Sequence, residues 1–414
     1  MKRLVGIVLI IAVAGGGLLF AAGGSQSSGG KKISFYYWDQ NQKSAMDEVV
    51  QAYQKSSGVQ VESTIIPYSQ YWTKLQTSLP SENGPDVFWI NMTYAVDYFP
   101  AGLAENLTPY IQRDKVDLSP FPKALIEMYT YNGNLYGLPK DYDTIGLYYN
   151  KGLFDAKGVA YPTDNWTWDD LRKAAVALTD PAAGVWGFVS GFSGQENIYP
   201  WVVTNNGPLV TPDRRLMKMN TPETIEAIQF LFDLINVYKV SPTGASQKEV
   251  SAGDLFQAGK AAMVATGSWA VPPLYDAFGD RLGVVRIPIN KRPGNVIHGL
   301  SFVMSAKSQN KEAAWGLIKA FSTKEAGEAQ AKVTIPAYEG AAESWKNNYP
   351  NLNLQCFITA AGYADMYPGT TVAGSAQEDI ADSSFERLWI NGGSVQAAME
   401  ALDRDCAAAA AAAK

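Results

Sequence analysis

Ile33-Ser34-Phe35-Tyr36-Tyr37-Trp38 is an almost unbroken run of apolar and aromatic residues, the composition of a β-strand. In the segment after it, Met46, Val49, Val50 and Tyr53 fall on one helical face. Val59, Val61 and Ser63 then alternate as a strand that ends at Ile66-Pro67, and a second helix is expected from about Tyr71 to Leu79. Gly84-Pro85 interrupts the chain before Asp86-Val87-Phe88-Trp89-Ile90, whose continuous apolar residues read as a buried strand. Strands and helices that alternate in this way predict an α/β fold with a mainly parallel sheet flanked by helices.

The same grammar recurs downstream. Thr167 with Asp170 three residues later is a capping-box pattern. Thr221-Pro222-Glu223 places a cap residue and then proline at the first helical position. The helix that follows aligns Ile225, Ile228, Phe232 and Ile235. Short buried strands are expected at 261–265, 282–287 and 301–304, and Ala314, Leu317, Ile318 and Phe321 line one face of a later helix. These stripes read as core. The chain closes on seven alanines and Lys414, which extend the last helix because alanine is the best helix former. No internal repeat of fixed period occurs.

With 414 residues, 47% of them hydrophobic, the chain can bury two cores rather than one. A net charge of −6 argues against a nucleic-acid partner, which wants a basic face, and against a polybasic membrane-surface role. The one histidine, His298, and the two cysteines, Cys356 and Cys406, form no structural-zinc pattern, and no metal or cofactor is expected. The cysteines could pair or remain separate thiols. At the start, Lys2-Arg3 precedes an apolar run from Leu4 to Leu19 that is broken by Gly15, Gly16 and Gly17; small residues Ala21, Ala22 and Gly23 follow. This is the pattern of an export signal, expected over 1–22 and cleaved after Ala21 or Ala22. A flexible Gly/Ser tether is expected over 23–30, leaving an exported protein that is soluble after cleavage.

Four further stretches carry a resemblance. They are Gly84-Pro85-Asp86-Val87-Phe88-Trp89; Gly133-Asn134-Leu135-Tyr136-Gly137-Leu138-Pro139 with Gly146-Leu147-Tyr148-Tyr149-Asn150-Lys151 and Trp168-Asp169-Asp170-Leu171; Phe256-Gln257-Ala258-Gly259-Lys260-Ala261-Ala262-Met263-Val264 with Gly267-Ser268-Trp269; and Gly299-Leu300-Ser301 with Lys311-Glu312-Ala313-Ala314-Trp315. In order and spacing the chain resembles the extracellular solute-binding proteins of ABC importers, in the sugar-binding subgroup typified by maltose-binding protein. The resemblance implies a two-lobed periplasmic-binding-protein-like fold with crossing hinge strands near 141–146, 275–281 and 334–337. Lobe one is then expected over 31–142 plus 280–333, and lobe two over 143–279 plus 334–414. It also implies a monomer that hands a small carbohydrate to the transmembrane subunits of a permease driven by a separate ATPase, with a periplasmic or cell-surface location. The lipid-accepting cysteine common in the family is missing from Leu18-Leu19-Phe20-Ala21-Ala22-Gly23.

A sugar site needs aromatic platforms for the flat apolar faces of the rings and planar polar groups for paired hydrogen bonds. Trp38 and Asp39 follow the first strand, where a loop would meet the cleft; core packing and helix capping are their structural alternatives. Asn91 follows the strand Asp86 to Ile90, at the family's position for a polar contact, although the charged pair of some relatives is replaced by Asn91-Met92-Thr93. Tyr142 and Asp143 sit at the first crossing, where the resemblance implies an acidic hinge contact. Ser268 and Trp269 match the loop whose tryptophan stacks on ligand. Glu196 and Trp201 lie in a loop-to-helix stretch, with helix packing as the alternative, and His298 borders the same region as either a ligand contact or a structural histidine.

Two other classes compete. A secreted carbohydrate-active enzyme would need two carboxyl groups set across a scissile bond, one held protonated. No triad can be built without His298 as its base, and no phosphate-cradling Gly-Lys motif occurs. A receptor of the same fold for a glycerol phosphodiester, a polyamine or another small solute is the second; the candidate residues include no Lys or Arg, which favours neutral polyols and sugars.

Overall fold

The computed structural model describes residues 31–413; the expected signal peptide and tether lie outside the described residues. Strand β1 (Lys32–Tyr37) alternates exposed and buried residues, and α1 (Lys43–Ser57) buries the stripe Met46, Val49, Val50 and Tyr53. β2 (Gln60–Ile65), α2 (Tyr68–Ser78), β3 (Val87–Asn91) and α3 (Met92–Tyr98) follow in the order read from the sequence. After a small hairpin, β4 (Thr130–Tyr131) and β5 (Asn134–Leu135), come β6 (Gly137–Asp143) and β7 (Ile145–Asn150), two strands separated by Thr144 alone. The later strands are β8 (Met263–Gly267), β9 (Leu282–Arg286), β10 (Val296–Met304), β11 (Ile335–Pro336) and β12 (Asp365–Met366).

Two main sheets result. The larger runs β11-β6-β10-β3-β1-β2, with β12 beside β10; the smaller is β8-β7-β9. The larger sheet departs from the mainly parallel arrangement expected. β1 pairs parallel with β2 and β3, but β10 runs antiparallel to both β3 and β6, and β11 runs antiparallel to β6. The smaller sheet is antiparallel throughout. For β10 the reason lies in the crossing: it returns from the smaller sheet and enters from the opposite end, so it runs antiparallel to β3 and β6, while β12 runs parallel to it.

Each sheet organises its own core. Phe35, Tyr37, Trp89, Phe302 and Phe321 lie in the first. Leu147, Tyr149, Met263, Ala265 and Val285 present one face of the smaller sheet to the second, where Trp168, Trp201, Phe232 and Phe385 meet them. Residues of opposite parity, Tyr148, Val264 and Val284, face the other way and join the first cluster with Phe357, as the two-residue period of a strand requires. Phe357 packs so closely on Gly146 that a Cβ there would lie 2.8 Å from its ring.

β6 passes into β7 at Thr144, inside the first expected crossing. β9 pairs with β7 in the smaller sheet although it falls in the range expected for lobe one, so the chain returns between Arg286 and Val296 rather than near 275–281. β11, at the third expected crossing, pairs with β6 in the larger sheet. Asn295 ties the first two crossings together: its side chain accepts from Ile145 N (2.9 Å) and donates to Ile145 O (2.7 Å). Thr144 Oγ1 donates to Phe357 O at 2.9 Å.

The local signals give the elements their ends. Thr167 and Asp170 form the reciprocal capping box of the helix Trp168–Leu178, and Thr221 caps the helix Pro222–Asn236. The alanine run continues the helix Val395–Ala412. Cys356 and Cys406 are both buried, free thiols. Among the described residues no helix is long and apolar enough to cross a membrane.

Candidate functional site

The two sheets meet where the hinge strands cross, and polar side chains collect there. Asp143, the last residue of β6, accepts from Gln195 Nε2 at 2.8 Å, and its other oxygen lies 3.5 Å from Nδ1 of His298 on β10. Burial pushes the Asp143 carboxyl up, and the partners His298 and Gln195 oppose that shift by stabilising the anion. The His298 ring stands edge-on to Tyr367 with centroids 4.7 Å apart. Tyr367 donates to Glu378, as does Tyr199 at 3.3 Å. A polar string therefore runs from the first crossing, through the second, to the helix Gly374–Asn391.

On one side of this floor the π-helical segment Gly194–Ile198 faces β8 and the turn after it. Glu196 accepts from Thr266 Oγ1 at 3.1 Å, and burial pushes its carboxyl up to about 7. Trp269 lies over Gly267, where a Cβ would stand 1.9 Å from the indole; glycine is required for that close approach. Glu196, Asn197, Gln247, Thr266 and Trp269 line a cavity of about 360 Å³ that Asn41, from the turn after β1, also lines. Larger recesses beside β2 (about 610 Å³) and against the C-terminal helix (about 450 Å³) are each lined from one core alone.

The facing wall is aromatic. Trp38 meets Tyr68, Tyr71, Trp72 and Trp89 at centroid distances of 5.6, 4.9, 5.6 and 5.2 Å, and Trp72 stacks on Tyr94 at 3.6 Å. Tyr68 is 52% exposed, yet burial raises its phenol, and the charges of Glu378 and Asp382 raise it further. A ring open to water but crowded at its hydroxyl marks the wall of a recess, with the acids of the 374–391 helix across from it. Burial likewise pushes Asp382 up to about 6 and Glu378 up to about 8.

Lys140, on β6, is buried and paired rather than exposed. Leu300 pairs with Asp141 and Ser301 with Pro139, so Lys140 is the extra residue of a β-bulge. The bulge lets Lys140 and Asp141 pair with each other, with Nζ also donating to Gln42 Oε1 (2.6 Å) and lying 4.2 Å from the Trp89 ring centroid. Thr334 Oγ1 donates to Asp141 from the β11 side at 3.2 Å. Both side chains are buried, and burial lowers the lysine pKa. Among the described residues no group of three or more His, Cys, Asp or Glu could hold a metal ion.

Of the residues singled out from sequence, Asp143, Glu196 and His298 gather at the floor, with Trp269 above the cavity and Trp38 in the aromatic wall. Asp39 accepts from Asn41 N (2.9 Å) and Gln42 Nε2 (3.0 Å), which is the capping alternative. Asn91 caps α3 through Tyr94 N (3.2 Å). Tyr142 is buried opposite Gly299 and Ile335, its phenol pushed up to about 12 by burial. Ser268 is fully buried and its backbone donates to Thr144 O at 3.2 Å, joining the tryptophan loop to the hinge. Trp201 corrects the expectation of a ligand contact. Its indole is fully buried among Trp168, Phe188 and Phe230, because the helix Tyr199–Thr204 turns that face into the second core. Tyr68, Trp72, Tyr94, Gln195, Glu378 and Asp382 were not anticipated. Tyr68 with Trp72, and Glu378 with Asp382, are each spaced by four residues on a helix, and that shared face was the available signal.

A family model described as bacterial extracellular solute-binding protein matches residues 48–352. A putative binding protein of Brucella abortus is 23% identical over 370 residues, covering 86% of this chain and 87% of that one. A galactooligosaccharide-binding protein of Bacillus subtilis is 26% identical over 289 residues, or 67% of this chain and 66% of its own. Among solved structures, an ABC substrate-binding protein of Listeria monocytogenes in complex with cycloalternan aligns with a TM-score of 0.84 at 28% identity, covering 91% of this chain and 98% of that chain. The fold is two-lobed, with the crossing strands at the junction.

Proposed function

This chain belongs to the bacterial extracellular solute-binding proteins, and from that premise we propose that it is the receptor of an ABC importer for a neutral oligosaccharide. The observation that carries the reading is the cavity lined by Trp269 and, from the turn after β1, by Asn41, and furnished with Glu196, Asn197, Gln247 and Thr266. An indole offers a platform for the apolar face of a sugar ring, while carboxyl and amide groups pair with its hydroxyls. With Lys140 sequestered by Asp141, the site residues Asp143, Glu196 and Trp269 offer acceptors and an aromatic face. Relatives named for galactooligosaccharide, maltotriose and arabinooligosaccharide binding support the same class.

In this reading the lobes divide at Thr144 and again between Arg286 and Val296, and the ligand favours the closed arrangement because both lobes touch it. Asp143, Glu196, Trp269 and Trp38 are the contacts we assign, with His298 acting through Asp143. The closed monomer then docks on transmembrane subunits served by a separate ATPase, and the chain catalyses no reaction. A polyamine is the second reading, favoured by the acidic side chains of Asp143 and Glu196 at the crossing, which a bound cation would draw into their charged form.

A thermal-shift screen separates these. A ligand present at 100 times its Kd stabilises the folded state by about 2.7 kcal/mol. Neutral oligosaccharides should raise the melting temperature, while spermidine and a glycerol phosphodiester should not. A rise with spermidine alone would replace the sugar reading by the cationic one, and release of new reducing ends from oligosaccharides would end the receptor reading.

A further inference from the structure

The helix Gly374–Asn391 starts without a cap of its own. Ala373, at its N-cap position, has no side-chain acceptor and stands at φ 50°, ψ 46°, in the left-handed region that L-residues avoid. The first turn of a helix leaves backbone N–H groups without intrahelical partners. Here the acceptor arrives from the far side of the cleft. Asp97, in α3, accepts from Gly374 N at 3.0 Å and from Ser375 N at 2.9 Å, and Ser375 Oγ also donates to it. The fit is close: a Cβ on Gly374 would stand 2.1 Å from Cγ2 of Val96.

The two elements belong to different cores. α3 buries Met92, Ala95 and Tyr98 in the first, whereas the 374–391 helix buries Ala381, Phe385, Leu388 and Trp389 in the second. Glu378 and Asp382 follow the capped turn, and Asn91 and Tyr94 begin α3, so the contact borders the candidate site.

We propose that Asp97 is a positioning residue for ligand capture, an interlobe cap that fastens the lobes together at the edge of the cleft and sets Glu378 in place. The inference rests on the two-lobed reading but not on the identity of the ligand. When the lobes part, the helix loses an acceptor shared by two backbone N–H groups and the Ser375 hydroxyl. Closure therefore carries its own stabilisation before any guest arrives.

The test uses ligand-free protein. Spin labels at the exposed positions Lys55 and Val176 report the distance between the lobes, and hydrogen exchange reports the amides of Gly374 and Ser375. Asp97→Ala should speed exchange of those two amides at least tenfold and shift the distance distribution to longer values. Asp97→Asn, which keeps one oxygen acceptor and the shape, should restore most of the protection and the shorter distances, and it serves if the alanine variant does not fold. Faster exchange with unchanged distances would make Asp97 a local cap only and overturn the proposal, as would wild-type exchange in Asp97→Ala.

Discussion

Replacing Glu378 by Gln should remove much of the protein's loss of stability at alkaline pH. The Glu378 carboxyl is buried, accepts from Tyr199 and Tyr367, and has Asp382 one helical turn further on. Burial first, and the Asp382 charge second, push its pKa from 4.5 up to about 8. The native state then binds this proton more tightly than the unfolded chain, so the unfolded state holds fewer protons between those two values. Stability is full below about 4.5 and falls as pH rises towards about 8. At about 1.4 kcal/mol per pKa unit the ceiling is about 5 kcal/mol, and water entering the recess reduces it. Glutamine keeps an oxygen for the two tyrosines and never ionises. In urea unfolding at pH 5 and pH 9, the wild type should lose about 2–4 kcal/mol more than E378Q, while Glu196 and Asp382 titrate in both proteins and cancel. Equal pH dependence in the two would mean that Glu378 is solvated and charged in the native state, against its burial beneath Tyr199 and Tyr367.

Three further substitutions probe the site and its support. Trp269→Ala should weaken the best oligosaccharide of the thermal-shift screen at least tenfold in titration calorimetry, about 1.4 kcal/mol; unchanged affinity removes Trp269 from the site. Gly267→Ala places a methyl group 1.9 Å from the Trp269 ring and must displace it, so affinity should fall with little change in circular dichroism. Wild-type affinity in that variant would show that the ring position is irrelevant. Trp201→Ala should cost about 3–5 kcal/mol of stability by emptying part of the second core, with sugar affinity of the folded protein preserved; lost affinity at unchanged stability would return Trp201 to the cleft.

Much of the fold was legible because its signals are local. The stripe Met46, Val49, Val50 and Tyr53, the Thr167–Asp170 box and the Thr221-Pro222 start each depend on residues within one or two turns, and each occupies the expected place. Strand direction was not legible, since the antiparallel entry of β10 depends on which sheet the chain has just left. The site divided in the same way. Hinge acid and tryptophan loop were readable through motif resemblance, whereas the aromatic wall is assembled from Trp38, Tyr68, Trp72 and Tyr94, residues spread over three elements. Trp201 misled because tryptophan composition is the same for a platform and for a core residue, and only the rotation of a short helix separates them. Lys140 needed the bulge opposite Leu300 and Ser301 before its burial made sense.

A crystal structure with the most stabilising oligosaccharide bound tests the central claim most directly. Sugar rings should lie in the hinge recess, stacked on Trp269 and touching Asn41 or the Tyr68 wall in the same molecule, with Asp143 or Glu196 bonded to a hydroxyl. A sugar held by one lobe alone, or seated in the groove beside β2, would contradict capture between two closing halves.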